Sequence, residues 1–198
     1  MNHQRESISQ PLMFHTRRGQ LVAVRPAMAA DTLLLAELLS QLSERALHLR
    51  YMRSGYFSAD VIWNEAMRMT REHSSDHTTL VATIRRNKYV EAVAVAELVR
   101  DQHDLTVGEI ALVVRDGEQR QGIGSFLLRQ LVRVAHWGGL KSLSANMLAE
   151  NSAMLRLIRA LGLPYTATTR YGETQVLVSI PGHHEEIARV RSAHKLAA

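Results

Sequence analysis

The 198-residue sequence contains no cysteine. That absence excludes a disulfide framework, a thiolate zinc site and a cysteine nucleophile together, and it fits a reducing, cytoplasmic setting. No stretch approaches the roughly 20 apolar residues of a membrane span. The polar opening, residues 1–11, lacks the apolar run of a signal peptide. Aromatic residues make up only 5% of the chain. Although the formal net charge is +5, no basic stripe interleaved with aromatics is present to serve as a nucleic-acid surface. The positive charges are scattered, with short clusters at Arg17-Arg18 and Arg85-Arg86, and a polyanionic small ligand accounts for them equally well. The ten histidines include no His-Glu-x-x-His spacing, and His183-His184 before Glu185-Glu186 reads as a solvated tail. The expectation is one domain over 20–181, between a flexible segment 1–19 and a tail 182–198, with no metal, nucleic-acid or membrane partner.

What is present is a change of period along the chain. Residues 20–24 alternate as a short strand ended by Arg25-Pro26. Asp31 is placed to cap a helix carrying Leu33, Leu34, Leu35, Leu38 and Leu39. Ser43-Glu44 opens a second helix to about Met52, and Ser58-Ala59-Asp60 a third. Segments 79–84, 89–99 and 106–115 are rich in Val, Ile, Thr and Ala, and their short connections predict an antiparallel meander. Beyond it, Leu127, Leu128, Leu131, Val132 and Ala135 share a helical face that stops at Gly138-Gly139. A strand over 142–148, a helix capped by Asn151 and closed by Gly162, and a hairpin around Tyr171-Gly172 complete the pattern. Trp63 and Trp137 fall in apolar helical patterns and are expected in the core. The fold class is α+β, a mixed and mostly antiparallel sheet of six to seven strands flanked by helices.

The most informative stretch is Gln119-Arg120-Gln121-Gly122-Ile123-Gly124, between a strand ending near Arg115 and a helix from Ser125. A glycine-rich turn that opens a helix leaves backbone N–H groups pointing outward, and the helix dipole favours negative charge there. Gly122 and Gly124 lack the β-carbons that would hold a phosphate away from the backbone. A plain tight turn is the alternative if the two glycines stand alone.

They do not stand alone. Gln119, Gly122 and Gly124 match the Gln/Arg-x-x-Gly-x-Gly/Ala motif of the GNAT superfamily of N-acetyltransferases. Downstream, Glu150-Asn151-Ser152-Ala153-Met154 followed by Ala160-Leu161-Gly162-Leu163 matches its second motif. The chain thus resembles that superfamily over roughly 22–180. Arg25-Pro26, Asp31, Leu42-Ser43, Leu49-Arg50-Tyr51, Glu109-Ile110-Ala111 and Val114-Arg115-Asp116 further resemble bacterial protein lysine acetyltransferases that modify acyl-CoA synthetases.

The resemblance implies acetyl-CoA as acyl donor, with Gln119, Arg120, Gln121, Gly122, Ile123, Gly124 and Ser125 around its pyrophosphate. It implies Val113 and Val114 acting through their backbones at a bulge, and Asn151, also a plain helix cap, touching the pantetheine. Glu109 is the candidate general base, because the apolar residues after it would raise its carboxyl towards working pH; Glu97 is the runner-up. Ile158 stands where many relatives carry a proton-donating tyrosine, with Tyr165 and Tyr171 as substitutes. Three readings stay open: acetylation of a protein lysine, acetylation of a small amine, and a regulatory module that binds acetyl-CoA without turnover. A homodimer is compatible with each.

Overall fold

In the computed structural model, which describes residues 10–71 and 76–181, the chain runs in a single order. It comprises β1 (Leu12–His15), β2 (Leu21–Pro26), α1 (Thr32–Ser40), α2 (Glu44–Tyr51), α3 (Ala59–Met69), β3 (His77–Arg86), β4 (Tyr89–Arg100), β5 (Val107–Val114), α4 (Ile123–Trp137), β6 (Ser142–Leu148), α5 (Ser152–Arg159), β7 (Tyr165–Arg170) and β8 (Glu173–Ser179). The tail with His183-His184 lies outside the described residues.

The eight strands form one sheet in the order β1-β2-β3-β4-β5-β6-β8-β7. Every neighbouring pair is antiparallel except β5 with β6. The α+β class and the meander are as expected, with one strand more than the sequence suggested. The extra strand is β1, which comes from the segment read as flexible. It is fixed by pairing with β2 and by stacking of Phe14 on Phe126 of α4, with ring centroids 4.3 Å apart.

Strand alternation divides the core between two faces. On one, Ala94, Ala96, Leu98, Ile110 and Val114 meet the α4 stripe of Leu127, Leu128, Leu131 and Ala135, with Met154 and Ile158 of α5 beside it. On the other, Val81, Val95 and Val113 meet Leu35, Leu38 and Leu39 of α1 and Ala66 and Met69 of α3. Burying each fully enclosed leucine contributes about 1.5–3 kcal/mol, so the period of α4 alone settles which way it faces. Trp63 and Trp137 are not core residues: each is 44% exposed. They sit at the rim of their helical stripes, and the Arg133 guanidinium lies 5.7 Å from the Trp137 ring.

Local signals set the boundaries. The Ser43 and Ser58 hydroxyls accept from the amides of Ala46 and Val61, so both caps fall where the sequence puts them. Asp31 precedes α1 without a side-chain capping bond. Its carboxylate takes both Arg25 guanidinium nitrogens at 2.6 and 2.7 Å and the Met28 amide at 2.8 Å, a charged pair that outcompetes the cap. The β7–β8 turn has positive φ at both Tyr171 and Gly172, which suits a two-residue hairpin between right-twisted strands. No helix among the described residues is long and apolar enough to cross a membrane.

Candidate active site

The parallel contact between β5 and β6 is short, with residues 107–109 paired to 142–144 and no further. Past that point β6 continues against β8 and β5 against β4, so the two strands part and leave an edge of β5 without a neighbour. The phase of the β4–β5 ladder says which groups face this gap. The Arg115 amide donates to the Val93 carbonyl and the Asp101 amide to Val107, so odd-numbered residues of β5 bond to β4. The backbones of Leu112 and Val114 therefore turn to the gap, while that of Val113 turns to β4. The sequence assigns a backbone role to Val113 and Val114; of the two only Val114 turns its backbone to the gap, with Leu112 beside it. The expected bulge in β5 is absent, since its register with β4 is continuous. The irregularity lies between β3 and β4, where Val93 is the extra residue.

The gap opens into a cleft of about 610 Å³. One side is β5 and the turn after it; the other is α5, with Ala46, Leu49 and Arg50 of α2 closing over it. Of the expected donor-binding residues, Val113, Val114, Gln119, Arg120, Gly122, Gly124, Ser125 and Asn151 line it. Gln121 and Ile123 do not: both are buried, and Ile123 belongs to the core under α4. Sequence reasoning missed Arg17, Leu112 and Arg156, which do line it.

The turn is held from behind. Glu118 is buried between Arg86 and Arg115, and Arg115 also reaches Glu91 at 3.1 Å. The Gln119 side-chain amide donates to the Val114 carbonyl at 3.1 Å, tying the turn to the strand end. Arg120 and Gly122 have φ of +60° and +94°, a left-handed excursion that turns the chain into α4. A β-carbon at Gly124 would lie 3.1 Å from a Leu157 methyl and 3.6 Å from one of Val114, so the start of α4 approaches both walls closely.

Among the described residues, the amides of 120–125 donate to no other group. The first helical bond is from Phe126 to the Gly122 carbonyl. A row of unclaimed N–H groups at a helix start is an anion site, strengthened by the aligned peptide dipoles. Arg17, Arg120 and Arg156 line the same cleft and have no carboxylate partner among the described residues. The Asn151 side chain accepts from the Met154 amide at 3.1 Å, so it caps α5 and lines the cleft at once.

Glu109 is exposed, and its carboxylate accepts from the Asn146 side chain at 3.2 Å. The apolar enclosure expected of it is absent, because alternate residues of a strand point to opposite faces and Ile110 and Leu112 point away from it. Glu97 is the opposite case. It is 3% exposed and contacts Arg50, Arg68 and His77. Burial pushes its carboxyl up, but hydrogen bonds and charge from His77, Arg50 and Arg68 outweigh it and hold the group at about 2. So strongly stabilised an anion is a poor proton acceptor, which removes it as a base. Ile158 is fully buried. Tyr171 stands fully exposed at a hairpin tip, and the Tyr165 hydroxyl accepts from Arg159 at 3.0 Å; neither lines the cleft. Among the described residues no cluster of three or more potential metal ligands occurs.

Comparison with known proteins agrees with this geometry. Acetyltransferase Pat of Mycolicibacterium smegmatis is 39% identical over 70 residues, covering 35% of this chain and 21% of that protein. The chain therefore spans about a fifth of that curated relative. The GNAT domain of S. lividans PAT superposes with a TM-score of 0.72 at 22% identity, over 85% of this chain and 96% of that one. YncA from Salmonella typhimurium, solved with its cofactor acetyl-CoA, gives a TM-score of 0.59 at 20% identity, over 82% and 95%. Residues 37–163 match the acetyltransferase (GNAT) family, whose acyl donor is acetyl-CoA, over more than half of the sequence. The chain belongs to that family.

Proposed function

We propose that the protein transfers the acetyl group of acetyl-CoA to a lysine side chain of another protein, in the cytoplasm. The observation that carries the reading is the row of unclaimed amides at 120–125 beside the parted edge of β5. The diphosphate of the donor sits on those amides, and the pantetheine arm extends β5 as a strand would, so that the thioester carbonyl meets backbone N–H groups at Leu112 and Val114. The lysine nitrogen attacks that carbonyl carbon, the carbon–sulfur bond breaks, and coenzyme A leaves as the thiolate. Glu109 takes the amine's proton through water, being exposed and oriented by Asn146. Water returns a proton to the thiolate, since Ile158 has none to give.

Two features favour a protein lysine over a small cationic amine. The carboxylate lining the cleft, Glu118, is committed to Arg86 and Arg115, so among the described residues no unpaired acid lines it to await a free cation. The resemblance of Leu49-Arg50-Tyr51, Glu109-Ile110-Ala111 and Val114-Arg115-Asp116 to bacterial protein lysine acetyltransferases points the same way.

The test incubates the protein with acetyl-CoA and either an acyl-CoA synthetase or a panel of polyamines and amino acids, following thiol release and locating the acetyl groups by mass spectrometry. Acetyl-lysine on the protein, with kcat reduced about 10²–10⁴-fold in Glu109→Gln, is the expected result. Thiol release with small amines alone would replace the acceptor. Binding of acetyl-CoA without any release, unchanged in Glu109→Gln, would favour a regulatory module.

A further inference from the structure

The β1–β2 turn brings to the donor cleft an arginine that lies outside the family-matched stretch of 37–163. We infer that Arg17, together with Arg120, binds the 3′-phosphate of coenzyme A and makes the enzyme select donors that carry it. The inference rests on the donor reading given above.

Arg17 is held in place by several independent contacts. Its amide donates to the Gln121 carbonyl at 3.2 Å, and its guanidinium to the Arg120 carbonyl at 3.3 Å. The turn around it is closed by the Thr16 amide on Gln20 at 2.8 Å and by the Gln20 amide on the Thr16 hydroxyl at 3.1 Å. The Phe14–Phe126 stack clamps the preceding strand to the first turns of α4. These contacts use one of the five guanidinium donors and leave the others free. An arginine already ordered in this way loses little freedom when a phosphate arrives.

Position and charge specify the ligand atom. The gap for the pantetheine lies between β5 and β6, whereas Arg17 reaches the loop from β1 and β2, on the other side of β5 in the sheet order. The end of the donor that meets Arg17 is therefore the nucleotide. The backbone amides of 120–125 accommodate the diphosphate, which leaves the third phosphate, a dianionic monoester, to the two guanidiniums. Neither has a carboxylate partner among the described residues. Paired guanidiniums without an acid suit a phosphate monoester, because planar forks match its oxygens and each bond is charge-assisted.

The test is calorimetry on the full chain with acetyl-CoA and with 3′-dephospho-acetyl-CoA, at low and high salt. The wild type binds the phosphorylated donor about tenfold more tightly at low salt, and the margin narrows as salt screens the pair. Arg17→Met loses most of that preference. Arg18→Met, at an exposed neighbour that does not line the cleft, keeps it. Equal affinity of the wild type for both donors, or an undiminished preference in Arg17→Met, overturns this inference alone. Failure of both donors to bind overturns the donor reading and this one with it.

Discussion

Ser43 donates its backbone N–H to one carboxylate oxygen of Asp116 at 3.0 Å and its hydroxyl to the other at 2.8 Å. The cap of α2 is thereby tied to the turn that leads into the glycine loop before α4. Leu49 and Arg50 close over the cleft on one side and Gln119, Arg120, Gly122, Gly124 and Ser125 line it on another, so this pair joins the two. Asp116→Ala removes both bonds at an exposed site and should cost about 1 kcal/mol, a fall in Tm of about 2–4 °C for a chain of this size. Because α2 loosens, kcat/KM for the acceptor should fall more than affinity for acetyl-CoA. Ser43→Ala also loses the cap, about 1 kcal/mol more. The double variant should fall short of the sum, and strict additivity would show that the pair is not coupled.

Glu97 makes the fold acid-sensitive. Its carboxyl is held at about 2 in the folded protein against an ordinary 4.5. The folded value is the lower, so the unfolded chain binds the extra proton as pH falls. The contribution is complete above about 4.5 and is lost on the way to about 2, roughly 3 kcal/mol in all. Denaturant midpoints measured from pH 6 to 2 should show this slope, and Glu97→Gln should lack its share of it. At neutral pH the same variant should be destabilised by about 3–5 kcal/mol, since Arg50 is left buried beside a neutral group. A variant as stable as the wild type at pH 7 would mean that the cations find solvent instead.

Much of this was legible in the sequence, and the exceptions share a cause. Ser43, Ser58 and Asn151 cap helices where their local pattern says they should, because a cap needs only the next three residues. The turn at Gly122 that opens α4 is local in the same way. Asp31 has the same local pattern, but Arg25, six residues earlier at the end of β2, takes its carboxylate with a charged pair that a cap pattern leaves out. Leu12–His15 is too short to announce itself as a strand, and the contact that fixes it is with Phe126, over a hundred residues on. Arg17 was hidden with it, although Arg18-Gly19 between alternating stretches is a turn signal. The exposure of Glu109 is not legible in its apolar neighbours, because adjacent residues of a strand point to opposite faces.

Gly124→Ala separates folding from binding. Inside the first turn of a helix, alanine is favoured over glycine by about 1 kcal/mol, and the tight contact at 3.1 Å is with the end of a Leu157 side chain, which can yield. Stability should therefore change little. The added methyl, however, enters the cleft between Leu157 and Val114, where the donor is proposed to lie. Affinity for acetyl-CoA should fall at least about tenfold while the Tm of the free protein stays within about 2 °C. Calorimetry and thermal melting on the same sample decide it, and an unchanged Kd would place the donor away from Gly124.

Arg120→Gly should move stability and affinity in opposite directions. At φ +60° the arginine sits in the left-handed region, which costs an ordinary L-residue about 1–2 kcal/mol. Glycine escapes that cost but gives up about 0.5–1 kcal/mol of chain entropy on folding. The free protein should therefore gain stability, by less than about 1 kcal/mol. The Arg120 carbonyl that holds the Arg17 guanidinium is backbone and survives the change. What disappears is one of the two guanidiniums proposed to face the 3′-phosphate, so affinity for acetyl-CoA should drop, and drop less at high salt. The rise in Tm on saturating with acetyl-CoA should shrink accordingly. A variant that loses stability and affinity together would mean that the arginine side chain supports the loop itself, and that the strained backbone there is not retained for the ligand.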